Sequence, residues 1–341
     1  MLLSWGCLLL GLKLATLNMQ TEIIDRLHQL EEKYGAMGQD MKSYLDGLLY
    51  ADYLTYWDYI HLDTLLSLQN PRTPIPDERI FIMYHQITEL YFRLTLDAIA
   101  QLAAATPNLG LFKRQLTRIN RYFKQLIDSF DIMVDGMDRD EFLRFRMSLL
   151  PASGFQSVQY RMIEIASTDM QQLVHASKRE LTADVTDVKL LCSVLYWRSG
   201  ATELASGKKT LTLRQFEQKY AAELVRFAEQ YQGSNLRVLY HKLTLEEQQD
   251  AELIELLRAH DLNANVRWAL SHYRSAVRYL DAKPKEIAAT GGTNWQKYLP
   301  PRFQRVIFFP ELWATDEIED WGKFLSKSAD SQPVGVETLH A

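Results

Sequence analysis

Two histidines lie inside long apolar runs of the sequence, where the presence of a polar imidazole requires an explanation. His85 stands in the middle of residues 77–93, DERIFIMYHQITELYFR. On a helix, Phe81 and Thr88 share its face, because positions three and four apart are neighbours. A histidine placed among aromatic rings is either a core residue with its hydrogen bonds satisfied or a polar group that contacts a ligand in an apolar pocket.

The second such histidine is His272, in residues 268–276, WALSHYRSA. Ala269 and Ala276 share its helical face, so small side chains flank the imidazole and leave room for a flat ligand. A neutral imidazole can bind haem iron axially, and a core histidine is the alternative. The other six histidines are predicted at the surface or at helix ends: His28, His61, His175, His241, His260 and His340.

An arginine beside an aromatic ring is the third candidate group. Arg146 follows Phe142 by four residues within residues 138–150, DRDEFLRFRMSLL, so the two side chains share a helical face. The planar guanidinium can bond both oxygens of a carboxylate, which suits an amino-acid substrate. The alternative is a surface arginine that pairs with Glu141 or Asp138.

A glycine-rich loop is the fourth candidate, at residues 289–295, ATGGTNW. Gly291 and Gly292 would let the backbone approach a ligand closely, and the hydroxyl of Thr290 can bond an ammonium or carboxylate group. Because most loops of this kind are only turns, the segment carries little weight by itself.

The elements that position these residues are predicted to be helices. Apolar residues recur three and four apart at 22–50, 77–105, 111–130, 138–150, 155–170 and 243–280. The last run is one helix or two helices broken near Asn263, and residues 306–309 look like a strand. The pattern lacks parallel-sheet signals, a P-loop and a dinucleotide fingerprint. We therefore predict an all-α fold, with one main helical bundle and a smaller helical insertion.

The predicted organisation has four parts. They are a doubtful N-terminal extension at 1–18, a main domain at 19–180 and 243–325, an insertion at 181–242, and a polar tail at 326–341. Residues 1–17, MLLSWGCLLLGLKLATL, are too short to span a membrane and lack a convincing cleavage site, so a signal peptide is only the alternative.

Composition excludes several classes of partner and compartment. The 341 residues carry a net charge of −5 and contain no basic block, which argues against a nucleic-acid partner. The two cysteines, Cys7 and Cys192, form neither a metal-ligand spacing nor a disulfide framework. This usage fits a reducing compartment, so we expect a cytoplasmic protein that does not bind membranes.

Taken in order, several segments resemble the tryptophan 2,3-dioxygenase family. The resemblance runs from about residue 54 to residue 312 and is weak through the insertion. The most specific segment is 151–161, PASGFQSVQYR. The other segments are 54–63 (LTYWDYIHLD), 77–92 with FIMYHQ and ELYF, 268–272 (WALSH), the Thr-Gly-Gly loop, and 308–312 (FFPEL).

The resemblance implies an all-α, haem-dependent, homotetrameric enzyme. Such an enzyme inserts both atoms of O2 across the indole C2–C3 bond of L-tryptophan and gives N-formylkynurenine, in tryptophan catabolism by the kynurenine pathway. The implied cofactor is haem b, with O2 as co-substrate. By position, His272 resembles the axial ligand of the haem iron, and Trp268, Gly291 and Gly292 would lie at the cofactor.

Other positions resemble the family's substrate site. His85 resembles the distal, catalytic histidine that faces the indole nitrogen, and Phe81 resembles the aromatic wall of that pocket. The remaining implied substrate contacts are Arg146 and Phe142 at the carboxylate, Thr290 at the amino-acid end, and Tyr56, Tyr59 and Ile60 in a segment that a neighbouring subunit lends.

The chain departs from the family mainly around the substrate. Phe142 stands where the family usually has a tyrosine, the loop reads Ala289-Thr-Gly-Gly-Thr293 instead of Gly-Thr-Gly-Gly-Ser, and Trp57 and Asp58 replace small residues. These changes leave two alternatives open. One is a haem-dependent mono-oxygenase of an indole or phenol amino acid in specialised metabolism, and the other is a haem-binding protein without turnover.

Overall fold

The computed structural model describes residues 3–52, 54–149, 156–201, 208–280 and 300–323. Within these ranges the chain folds into helices and contains no strand, and Val174 and Leu195 form an isolated β-bridge. The predicted all-α class is therefore confirmed. The strand predicted at 306–309 is wrong, because the backbone N–H groups of Phe308 and Phe309 donate to the carboxylate of Asp261 instead of to a neighbouring strand.

The chain divides into two compact units, Met1–Leu68 and Gln69–Ala341. The N-terminal unit contains α1 (Leu3–Ala36), α2 (Met41–Leu49), α3 (Tyr56–Tyr59) and α4 (Leu62–Leu66). Residues 3–18, which belong to the predicted N-terminal extension, form the first part of α1. No described helix is both long enough and apolar enough to cross a bilayer.

The C-terminal unit contains the remaining helices. They are α5 (Asp77–Ala103), α6 (Leu109–Ser129), α7 (Asp131–Val134), α8 (Arg139–Phe145), α9 (Val158–Ser167), α10 (Val188–Ser193), α11 (Tyr196–Gly200), α12 (Leu211–Tyr231), α13 (Leu236–His241), α14 (Leu245–Gln248), α15 (Ala251–Leu262), α16 (Trp268–Leu280), α17 (Pro301–Gln304) and α18 (Thr315–Glu319). Short 3₁₀ turns lie at Arg146–Leu149, Met170–Leu173, Ala176–Lys178, Glu180–Thr182 and Pro310–Leu312.

A π-helical turn, Asn263–Arg267, joins α15 to α16. The sequence predicted one helix or a break near Asn263, and the structure has a widened turn at that place. The predicted boundaries of the main domain and of the insertion at 181–242 stay predictions, and the predicted tail at 326–341 lies outside the described residues.

The core of this unit forms where α6 packs on α5. Leu116, Ile119 and Phe123, which recur three and four residues apart along α6, are fully buried. On α5, Phe92 and Ile99 are buried as well. Removing side chains of this size from water contributes about 1.5–3 kcal/mol each, so the paired faces dominate the stability of the bundle.

The first turn of α5 also holds α8 in place. The carboxylate of Asp77 accepts the backbone N–H of Asp138 at 2.6 Å, and the N–H of Asp77 donates to Glu141 at 3.3 Å. Glu78 is 1% exposed and accepts hydrogen bonds from Thr73 through the backbone N–H and the hydroxyl. The helix that carries His85 is therefore fixed to the helix that precedes Arg146.

Candidate functional site

The imidazole of His85 is held by its own helix. Its Nδ1–H donates to the carbonyl oxygen of Phe81 at 2.7 Å, and the two rings lie 4.1 Å apart. Because the proton is on Nδ1, Nε2 keeps a lone pair that can accept a hydrogen bond. The side chain is exposed at the surface, but the protein atoms packed around the ring desolvate it and so lower the pKa of His85. The ring is therefore neutral at neutral pH.

His272 has the same arrangement on α16. Its Nδ1–H donates to the carbonyl oxygen of Trp268 at 3.1 Å, so Nε2 is again the atom that can bind a ligand. The ring is half-buried, and burial lowers the pKa of His272 to about 4, with a smaller contribution from the charge of His85.

A series of aromatic rings connects the two histidines. Tyr84 lies 6.1 Å from His85, and Phe130 lies 5.6 Å from Tyr84. Phe130 in turn lies 4.7 Å from His272 and 5.2 Å from Trp268. The structure therefore connects His85, His272 and Trp268 through one group of aromatic side chains. The sequence analysis did not identify Tyr84 or Phe130 as part of it.

Phe142 reaches the same region from α8, and Arg146 begins the 3₁₀ turn that follows this helix. The ring of Phe142 lies 5.5 Å from Phe145, which lies 5.9 Å from Phe81. Arg146 follows Phe145 directly and is 6% exposed, and burial lowers the pKa of its guanidinium. The surface-arginine alternative is therefore wrong. A buried guanidinium favours recognition of a carboxylate, because Coulombic attraction is stronger where water is excluded.

The ring of Phe142 contacts a tyrosine whose hydroxyl is engaged elsewhere. The ring of Phe142 lies 4.6 Å from Tyr279, whose hydroxyl donates to the carbonyl oxygens of Val134 and Met137 at 3.2 Å each. That hydroxyl is engaged in joining α16 to the end of α7. Tyr279 therefore uses its hydroxyl proton within the fold.

The contacts described above do not include six of the predicted site residues. Thr290, Gly291 and Gly292 lie outside the described residues. Tyr56 and Tyr59, in α3 of the N-terminal unit, have 72% and 74% of their surface exposed, and Ile60 is half-buried. The tyrosine rings are accessible for binding, and their role stays a prediction.

One histidine differs from its predicted environment. His260 lies in the last turn of α15, as expected of a helix-end residue, but it is fully buried between Phe123 and Phe308. Its Nε2 is 2.9 Å from the hydroxyl of Ser167, and burial lowers its pKa to about 3. Residues 260–265, HDLNAN, look polar in sequence, and only the packing of distant segments shows that they are inside.

A separate cavity of about 230 Å³ lies where α9, α10 and α12 meet. Asp169 and Asn235 line it, and Asn235 donates to Asp169 at 3.2 Å, while Asp169 also binds Arg237. None of the predicted site residues lines this cavity, and the two polar side chains named here are engaged in the fold. The cavity therefore gives no support to a second site.

Comparisons with known proteins agree with the geometry. The family model described as Tryptophan 2,3-dioxygenase matches residues 47–195. A tryptophan 2,3-dioxygenase of Polaromonas sp. (strain JS666) is 31% identical over 287 residues, which cover 80% of this chain and 90% of that protein.

Two further relatives carry the same name. The protein of Bradyrhizobium diazoefficiens is 32% identical over 269 residues, covering 76% of this chain and 91% of its own length. The protein of Bordetella pertussis is 30% identical over 293 residues, covering 82% and 94%. Identity at this level over most of both chains establishes descent, and the chain belongs to the tryptophan 2,3-dioxygenase family.

Proposed function

We propose that this protein is a haem-dependent dioxygenase that converts L-tryptophan or a close analogue and O2 to N-formylkynurenine. The observation on which the proposal rests is that two histidines share the same protonation state and the same hydrogen-bond pattern. His85 and His272 are both neutral, both donate from Nδ1 to the carbonyl four residues earlier, and both keep Nε2 for a ligand in one aromatic-lined region.

The residues around His272 fit a haem. Histidines that bind metals usually donate their second ring N–H to a carbonyl or carboxylate, and the bond from His272 to Trp268 is of this kind. The rings of Trp268 and Phe130 lie 4.6 Å and 4.7 Å from the imidazole and give it an apolar surround. Bound haem would supply the iron that binds and activates O2. Gly291 and Gly292 are proposed to contact the cofactor.

His85 orients the substrate in this proposal. Its Nε2 accepts the indole N–H, and the packed ring of Phe81 supports the imidazole from one side. A neutral acceptor suits this task because it holds the indole without adding a charge to a desolvated pocket. The protein thereby fixes which edge of the indole faces the oxygen.

Arg146 binds the substrate carboxylate, with Thr290 at the amino-acid end. The guanidinium fork can bond both carboxylate oxygens, and its burial strengthens that attraction. Phe142 contributes only apolar contact, since it has no hydroxyl. The substrate is therefore held at two points, the indole nitrogen and the carboxylate.

The active form in this proposal is a homotetramer in the cytoplasm. Tyr56, Tyr59 and Ile60 would complete the substrate pocket of a neighbouring subunit, which agrees with the high exposure of both tyrosine rings. A cytoplasmic location agrees with the absence of a cysteine framework in the sequence.

The relatives' shared name favours dioxygenation over the alternatives of hydroxylation and haem binding without turnover. The test is to load the purified protein with haem, reduce it, and add L-tryptophan and O2. Formylkynurenine should appear by absorbance and mass. A protein with an intact haem spectrum that forms no product from L-tryptophan or substituted indoles would contradict the proposal.

A further inference from the structure

The π-helical turn Asn263–Arg267 lies immediately before the helix that carries His272. A π turn holds one residue more than an α-helical turn, so it rotates the following helix by about 100° relative to an uninterrupted α-helix. His272 is five residues beyond the turn. The direction in which its imidazole points therefore depends on whether the turn is kept.

A tyrosine from α9 binds the backbone of this turn. Tyr160 is buried, and its hydroxyl donates to the carbonyl oxygen of Ala264 at 2.8 Å. The ring of Tyr160 packs 5.4 Å from Phe92, which lies 5.8 Å from Trp268. Tyr160 thus connects a backbone group of the π turn to the helix that also carries His85.

Side chains of the turn itself are bound by α6. Asn263 donates from Nδ2 to Oδ1 of Asn120 at 3.0 Å, and Asn120 donates to the carbonyl oxygen of Leu256 at 2.9 Å. The Oδ1 of Asn263 accepts a bond from Arg267 at 2.7 Å. Both the nitrogen and the oxygen of the Asn263 side-chain amide are therefore hydrogen-bonded, which fixes this side chain at the start of the turn.

A buried carboxylate completes the support. Asp261 is fully buried and accepts from Nδ2 of Asn265 at 2.7 Å, inside the turn. It also accepts the backbone N–H groups of Phe308 and Phe309 at 2.9 Å and 3.1 Å and the indole N–H of Trp313 at 3.0 Å. Four donors compensate a carboxylate in a place where a bare charge would be costly. The turn is thereby fastened to the C-terminal segment.

We propose that Tyr160, Asn263 and Asp261 are positioning residues that keep the π turn and so aim Nε2 of His272 at the haem iron. This inference rests on the proposed function, because it takes His272 as the haem ligand. None of the three touches the haem or the substrate in this scheme. They act through the rotation of α16, and their loss would misdirect the ligand in a bundle that still folds.

The test compares two variants that each remove one buried hydroxyl. Tyr160→Phe removes the bond to Ala264, and the control Tyr240→Phe removes a bond of the same kind, from a buried hydroxyl to the carbonyl of Gln248. Both proteins are loaded with haem, and we measure the melting temperature, the haem dissociation constant, and the iron–histidine stretching frequency of the ferrous form.

Tyr160→Phe should weaken haem binding by about 10- to 100-fold, the range known for variants that misorient a metal ligand, and should shift the iron–histidine frequency. Tyr240→Phe should lower the melting temperature and leave both haem readouts unchanged. Asn263→Ala should reproduce the shift. If Tyr160→Phe and Asn263→Ala lose stability but keep the wild-type frequency and haem affinity, the positioning role is overturned.

A crystal structure of Tyr160→Phe gives a readout that does not need haem. We expect the turn to relax towards α-helical geometry and the imidazole of His272 to rotate away from its present direction. An unchanged turn would also overturn the inference. Failure of the proposed function would look different, since the wild-type protein would then bind haem without forming product or would not bind haem at all.

Discussion

The ring of Phe130 lies 4.7 Å from the imidazole of His272, centroid to centroid, at an interplanar angle of 57°. Phe130 is 4% exposed and stands at the end of α6, where it also contacts Tyr84 of α5. One side chain therefore packs against both helices that carry the candidate histidines. We expect it to fix the spacing between them.

Replacing Phe130 with leucine should disturb haem binding as well as stability. The smaller side chain leaves a gap beside His272, and we expect the free energy of unfolding to fall by about 1–2 kcal/mol. Phe112→Leu, at a buried position of the same helix, is the matched control. Denaturant titration and haem titration of both variants distinguish the two effects. Equal haem affinity in the two variants would show that Phe130 has no special relation to the site.

Removing the imidazole of His272 should abolish stable haem binding. His272→Ala deletes the one described side chain to which we assign the iron, so purified protein should retain less than about a tenth of the wild-type haem content. His241→Ala, at an exposed position, is the control. Haem content is measured per chain by absorbance of the pyridine complex. An undiminished haem content in His272→Ala would refute the ligand assignment.

Removing the guanidinium of Arg146 should weaken substrate binding and leave haem unaffected. A charged hydrogen-bonded pair in a buried site contributes about 2–3 kcal/mol, so Arg146→Ala should raise the KM for L-tryptophan by about 30- to 150-fold. The neighbouring exposed residue offers a control, Arg144→Ala, with a KM close to that of the wild type. If both variants show the same dependence on substrate concentration, Arg146 does not bind the substrate.

The pH dependence of stability should report the buried His260. Burial lowers the pKa of His260 to about 3 in the folded protein, whereas the unfolded chain has the ordinary value near 6.5. Below pH 6.5 the unfolded chain therefore binds a proton that the folded protein does not. The free energy of unfolding should fall by about 1.4 kcal/mol per pH unit from this residue, from pH 6.5 down towards pH 3.

The neighbouring carboxyl acts in the opposite direction. Burial raises the pKa of Asp261 to about 6, so the folded protein takes up that proton before the unfolded chain does, between about pH 6 and 3.8. Comparing wild type with His260→Gln in denaturant titrations at several pH values isolates the histidine. The variant should lose stability less steeply on acidification. Parallel curves would mean that His260 does not titrate differently in the folded and unfolded states.

Sharing of sites between subunits can be tested by mixing inactive variants. If Tyr59 belongs to the site of a neighbouring subunit, a site is intact when its own chain keeps His85 and the neighbouring chain keeps Tyr59. In oligomers mixed from His85→Ala and Tyr59→Ala chains, about a quarter of the sites would meet both conditions. Co-expressed chains should regain activity to that extent. Mixing His85→Ala with Arg146→Ala is the control, since both defects lie in the C-terminal unit. Equal lack of activity in the two mixtures would contradict a shared site.

The sequence was sufficient for the all-α class and for residues that their own helix positions. The start of α5 at Asp77 and the placement of His85 beside Phe81 depend on local periodicity, so they could be predicted. Phe130 could not, because its contacts with Tyr84 and His272 join positions far apart in the chain.

At residues 306–309, VIFF, the sequence pattern predicted a strand that the structure does not form. Their bulky apolar side chains are typical of a strand, but Val306, Phe308 and Phe309 are buried. Asp261 accepts the backbone N–H groups of Phe308 and Phe309. Tertiary packing determines the conformation of that segment, and it also determines the burial of His260. A short apolar run does not indicate which partner will satisfy its N–H groups.

The most direct measurement is an isotope experiment on the haem-loaded, reduced protein with L-tryptophan and ¹⁸O₂. If the protein is the dioxygenase that we propose, the N-formylkynurenine formed within a few turnovers will contain two ¹⁸O atoms, and its mass will be higher accordingly than that of the product formed with unlabelled O2. A product that carries a single labelled atom would contradict dioxygenation and would instead indicate a mono-oxygenase built on the same fold.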